Sequence, residues 1–134
     1  METEEIHDWF VNLPEYKEYH AAIGAYNPAL DYAGPSNNKV LSFMIPKTLY
    51  GIDLNIAFFQ HDAKYQIGYT KQARWMADIT MLATGLFIIE KHPDRWFLTG
   101  FNSARRHLAR VRLIKYFEAV RFGGDTSFNY TGKQ

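Results

Sequence analysis

From Asp53 onward, apolar residues recur at helical spacing, and this periodicity is what most limits the possible folds. Ile52, Ile56, Phe59 and Ala63 form one stripe; Leu54, Phe58, His61, Asp62 and Tyr65 form its neighbour. Asp53 is suited to cap this first helix, and Gly68 to stop it. A second helix is predicted from Lys71 to Glu90. Its apolar face carries Trp75, Ile79, Leu82, Leu86 and Ile89, with Arg74, Asp78 and Met81 beside it. His92-Pro93-Asp94 ends it and begins a third. That last helix is expected over 94–122, with Leu108, Val111, Ile114, Phe117 and Val120 toward the core, Gly100 a point of breakage and Gly123-Gly124 its terminator. The short connection at 68–71 makes the first two helices antiparallel neighbours. The fold class is therefore mainly α: two antiparallel central helices plus a long C-terminal helix, in a single domain over 1–134.

The upstream third is more broken. A short helix is expected over 4–11 with Ile6, Phe10 and Val11 on one side, then a second from Pro14 to about Ala22. Glycine, proline and asparagine make 24–39 a loop. The apolar run Val40-Leu41-Ser42-Phe43-Met44-Ile45 reads equally as a strand or an extended arm before Pro46. Residues 125–134 are polar and expected to be mobile.

Phe, Trp and Tyr make up 16% of the chain, enough for large rings to supply much of a small core. With no cysteine, neither disulfides nor thiolate metal sites are open to this fold. The N-terminal segment is acidic and lacks the apolar stretch of a signal peptide, and no apolar run reaches the roughly 18 residues of a membrane span. The net charge of +1 points to no polyanionic partner, but its distribution is uneven. Residues 1–20 are acidic; residues 101–122 carry Arg105, Arg106, Arg110, Arg112, Lys115 and Arg121 against Glu118 alone. A basic helix of this kind is either a solvated face or a surface for phosphate groups of a membrane or a nucleic acid.

The chemistry concentrates in His61-Asp62-Ala63-Lys64-Tyr65 and Ala77-Asp78. Imidazole is the side chain suited to general base work near neutral pH, provided that its other nitrogen is held by an acceptor. Asp78, on the neighbouring helix, is a candidate acceptor, and Tyr65, four residues after His61, can reach the same carboxylate. The plainer alternative packs His61 in the core and pairs Asp78 with Arg74 one turn earlier. Asp62 is a hard oxygen donor for a cation such as calcium, which also takes backbone carbonyls from tight turns. Tyr32-Ala33-Gly34-Pro35-Ser36-Asn37 is such a turn, or simply a surface loop.

The ordered set Tyr32-x-Gly34-Pro35-x-Asn37, His61-Asp62-x-x-Tyr65 and Ala77-Asp78 resembles the secreted phospholipase A2 family, nearest its cysteine-free branch in parvovirus capsid proteins. The resemblance covers about 30–90. It implies calcium-dependent attack of water on the sn-2 ester of a glycerophospholipid at a phospholipid membrane surface. His61 would be the base, Asp78 its orienting acid and Tyr65 the support of Asp78. Asp62, with the carbonyls of Tyr32, Gly34 and Ser36, would hold Ca2+. Ser36 stands where the family's loop has a second glycine, and the motif spacings differ from the viral pattern. The His-Asp-x-x-Tyr, Arg74-x-x-Ala77-Asp78 and 119–124 segments are also similar to short phage-encoded proteins of unassigned function. That likeness implies a non-catalytic phage or virion accessory protein on the same helical scaffold; nucleic-acid binding through 101–122 is the third reading.

Overall fold

A computed structural model describes residues 1–32, 48–93 and 99–132. Among them are α1 (Thr3–Val11), α2 (Tyr16–Ile23), a hairpin of β1 (Thr48–Leu49) and β2 (Ile52–Asp53), α3 (Asn55–Ile67), α4 (Lys71–Lys91) and α5 (Thr99–Gly123), followed by a 3-10 turn at Gly124–Ser127. The chain is mainly helical. In the hairpin Thr48 faces Asp53 and Leu49 faces Ile52, across a turn in which Tyr50 and Gly51 have φ of 52° and 79°. Positive φ at both central residues matches the twist of a tight hairpin. The expected strand or arm at 40–45 lies outside the described residues.

α3 is the centre of the molecule. Residues 55–61, Ala63 and Tyr65 are all buried, so both stripes face protein. Its start is fixed by Asp53 Oδ1, which accepts from the Asn55 backbone N–H at 2.9 Å. Phe59 is the hub of an aromatic cluster, with ring centroids 5.7 Å from Phe10, 5.2 Å from Tyr26 and 5.0 Å from Tyr32. These pairs are edge-on, the favoured arrangement for aromatic quadrupoles, and they bring α1 and the 26–32 loop onto α3. Asn55 pins that loop twice: its Oδ1 accepts from Tyr32 N at 3.0 Å and its Nδ2 donates to Leu30 O at 2.7 Å.

α4 runs antiparallel to α3, since Tyr65 meets Arg74, His61 meets Asp78 and Gln60 meets Thr84. α5 runs antiparallel to α4 in turn, with Arg121 near Asp78 and Arg110 near Glu90. Halfway along, a Cβ on Gly85 would lie 2.5 Å from Leu113 Cδ2, so glycine sets how closely these two helices approach.

The buried faces of α4 and α5 agree with expectation at Ile89 and Val120 and differ elsewhere. α4 buries Arg74, Ala77, Asp78, Met81, Thr84, Gly85, Ile88 and Ile89, while Trp75 is exposed and Ile79, Leu82 and Leu86 lie on the flank. α5 buries Asn102, Arg105, Ala109, Leu113, Tyr116 and Val120, leaving Leu108 and Ile114 exposed. Both helices turn small and polar residues inward because they pack closely and share a polar network. Gly100 does not break α5, and residues 94–98 are outside the described set. The segment after α5 is docked rather than loose. Phe128 is buried against Tyr65, and Asn129 caps α3: its N–H donates to Tyr65 O at 3.1 Å and its Nδ2 to Gln66 O at 2.8 Å.

Candidate functional site

The carboxylate of Asp78 is wholly buried and receives donors from two other helices. His61 Nε2 lies 2.7 Å from Oδ1, and the Tyr65 hydroxyl donates to the same oxygen at 2.7 Å. On the far side Arg121 Nη1 donates to Oδ2 at 2.6 Å. The helical step explains this convergence: His61 and Tyr65 are one turn apart on α3, so both face the same position on α4.

Burial alone would raise the Asp78 pKa. The hydrogen bonds from His61 and Tyr65, the His61 charge and the Arg121 bond outweigh it and hold the carboxyl below its usual value. Burial pushes the Tyr65 phenol well up, and its bond to Asp78 adds to that, so it remains a donor. With an ionised carboxylate at Nε2, the neutral ring carries its proton there, and Nδ1 is left as the acceptor. Nδ1 makes no hydrogen bond with the described residues. The ring itself is 6% exposed.

Asp78 does not pair with Arg74. Arg74 Nε donates to the Tyr65 hydroxyl at 3.3 Å, and its Nη2 donates to Val120 O at 3.0 Å and Arg121 O at 2.9 Å. It therefore ties the first turn of α4 to the open carbonyls at the end of α5, groups that a helix cannot satisfy internally. Arg121, read from sequence only as part of a basic face, supplies the charge opposite Asp78. A buried carboxylate calls for a cation, but nothing in the sequence singles out Arg121 from the other basic residues of α5.

Asp62 occupies the next position on α3, partly buried, and no described residue hydrogen-bonds to it. Burial first, then the charge of Asp31, push its carboxyl up to about 8. Tyr32 is held by Asn55, and its hydroxyl accepts from Asn27 N at 3.2 Å. Gly34 and Ser36 lie outside the described residues. Among the described residues no group of three or more His, Asp or Glu gathers to hold a metal. A carboxylate without hydrogen-bond donors beside a second acid nevertheless suits a hard cation whose remaining ligands are backbone carbonyls.

The basic helix is largely committed internally. Arg105 bonds Tyr50 O, Arg106 bonds His92 O and Arg110 bonds Glu90, while Arg112 and Lys115 are exposed. Among the described residues no helix is long and apolar enough to cross a membrane. A cavity of about 430 Å³ lies between α1 and the start of α3, lined by Ile6, Tyr26 and Ile56 among others, and His61 is not among its lining residues. No protein-family model matches the chain, and comparison with curated proteins and with solved structures likewise yields no match.

Proposed function

We propose that the protein hydrolyses the sn-2 ester of glycerophospholipids at a membrane surface, with calcium as cofactor, in the manner of the phospholipase A2 family. The observation that carries this reading is Asp78 Oδ1 accepting from both His61 Nε2 and the Tyr65 hydroxyl at 2.7 Å each. In this reading His61 Nδ1 takes a proton from water as its oxygen bonds to the ester carbonyl carbon. Asp78 stabilises the imidazolium, and the same Nδ1 proton passes to the departing glycerol oxygen as the ester bond breaks. The products are a fatty acid and a lysophospholipid. Asp62 and the carbonyls of Tyr32, Gly34 and Ser36 would hold calcium, which would supply positive charge for the ester carbonyl. Tyr65 keeps Asp78 fixed while the ring gains and loses its proton.

The test is fatty-acid release from phosphatidylcholine vesicles containing an anionic lipid, with calcium or with chelator. Calcium-dependent release, abolished in His61→Ala and Asp62→Asn, is expected. Absence of release from folded protein at millimolar calcium overturns the reading. A non-catalytic phage or virion accessory role is favoured by one observation: His61, the proposed base, is only 6% exposed. Nucleic-acid binding has fewer carriers, since Arg105, Arg106, Arg110 and Arg121 all bond within the chain.

A further inference from the structure

We infer that Arg121 is a positioning residue for His61, acting through Asp78, so that the last turn of α5 belongs to the site. This rests on the hydrolase reading for its kinetic consequence, but not for its geometry.

Two equivalent oxygens give a carboxylate two ways to face an imidazole, and a carboxylate rotating about χ2 offers neither one firmly. In this protein Oδ2 is taken by Arg121 Nη1 at 2.6 Å, which leaves Oδ1 for His61 and Tyr65. The three donors fix the plane of the carboxylate and hence the direction of the His61 Nε2–H bond. The guanidinium is itself held. Its central carbon lies 4.9 Å from the centroid of the Trp75 ring, a cation–π distance. Arg74 then grips the Arg121 carbonyl at 2.9 Å, so side chain and backbone of one residue are both anchored to α4.

A surface ion pair would not justify this assignment, since exposed pairs contribute little. Asp78 has no exposure, and the Arg121 side chain is 31% exposed, so the pair joins the interior to the surface. It supplies a charged partner to an acid that has only His61 and Tyr65 otherwise. With Arg121 in place the carboxylate stays ionised and aimed. Without it, Asp78 is free to turn, and the His61 ring loses its fixed acceptor. Groups that orient a catalytic or metal-binding ring in this way typically change activity by about 10–100-fold when removed.

The experiment compares native protein with Arg121→Gln, Arg121→Lys and Trp75→Leu. Two readouts are taken: the proton and nitrogen resonances of the His61 ring in nitrogen-labelled protein, and kcat and KM for vesicle hydrolysis. Native protein is expected to show a slowly exchanging, downfield Nε2–H signal. In Arg121→Gln that signal should move or broaden, and kcat should fall about 10–100-fold with KM within about twofold. Guanidinium ion at millimolar concentration should restore part of both, because the vacated site opens to solvent; sodium at equal ionic strength should not. Arg121→Lys and Trp75→Leu, which keep a cation, should lie between. An unchanged His61 signal in folded Arg121→Gln overturns the inference, as does an equal loss across all three variants that tracks thermal stability alone. If native protein hydrolyses no lipid, the hydrolase reading fails, while the ring resonances still decide whether Arg121 orients His61.

Discussion

At the scale of single residues, Asp62 carries the clearest prediction. Its folded carboxyl titrates at about 8 and its unfolded one near 3.8, so between those values the folded state keeps a proton that the unfolded state has lost. Stability from this group is full below the unfolded value and falls as pH rises toward 8, by up to about 1.4 kcal/mol per pH unit. Denaturant unfolding of Asp62→Asn should lose that slope and exceed native stability above pH 8 by roughly 2–4 kcal/mol. Calcium should close the gap, raising the native Tm more at pH 8 than at pH 5 and leaving the variant unmoved. An identical pH slope in both proteins would contradict this account. The grouping of His61, Tyr65 and Asp78 was legible in the sequence as one of two open readings, beside an Asp78–Arg74 pair: helical spacing puts His61 and Tyr65 on one face, and the short connection at 68–71 lays α4 alongside. Arg121 was not, because its partner lies on a different helix and its charge is indistinguishable in sequence from that of Arg112, which is exposed.

Among elements, the most informative is the joint between α3 and the segment after α5. Gly68 has φ of 66°, and a Cβ there would overlap the carbonyl of Asn129. Tyr69 N also donates to that carbonyl at 2.8 Å. Gly68→Ala meets both a left-handed backbone and a backbone clash, and should cost about 2–4 kcal/mol in denaturant unfolding. Thr70→Ala, which removes the hydroxyl accepting from Ala73 N at 3.0 Å at the start of α4, should cost about 1 kcal/mol. Equal costs would mean that the α3 joint is not under the constraint described. Element ends were readable from breaking residues, as Gly68 and His92 attest, whereas the N-cap position of α3 is Leu54 and the expected cap, Asp53, lies one residue earlier in β2. Which face each helix buries was only partly read for α4 and α5: Ile89 and Val120 are buried as expected, whereas Trp75, Leu108 and Ile114 are exposed. Hydropathy favours Trp75, Leu108 and Ile114, whereas close packing at Gly85 and the polar partners of Asp78 turn the adjacent faces inward. The docking of 124–129 left little trace in composition, since its main attachments are backbone bonds and a single ring, Phe128.

Over the whole molecule, one carboxylate joins three helices: it sits on α4, receives two donors from α3 and one from α5. Its pKa is held down in the fold, so its contribution is present above the unfolded value and is lost as pH falls through the folded one. Acidification below about pH 4 should therefore dismantle side-chain packing and helix content together, with near- and far-ultraviolet circular dichroism falling in one transition. Asp78→Asn should already be weakened by about 3–5 kcal/mol and show no such acid step. Two separate transitions in the native protein would show that the helices do not depend on a common anchor. Without cysteine, this buried polar junction and the aromatic cluster around Phe59 do the work of cross-links.

The grip of α5 and Asn129 on α3 also sets an order of events during synthesis. His61, Tyr65 and Asp78 leave the ribosome well before Arg121 and Asn129 exist outside the tunnel. The imidazole can meet its carboxylate at that stage, but neither is locked, and the last turn of α3 still lacks its cap. The three-donor arrangement around Asp78 is completed only once those later residues emerge, so a nascent chain that stops short of them carries the chemical groups without their alignment.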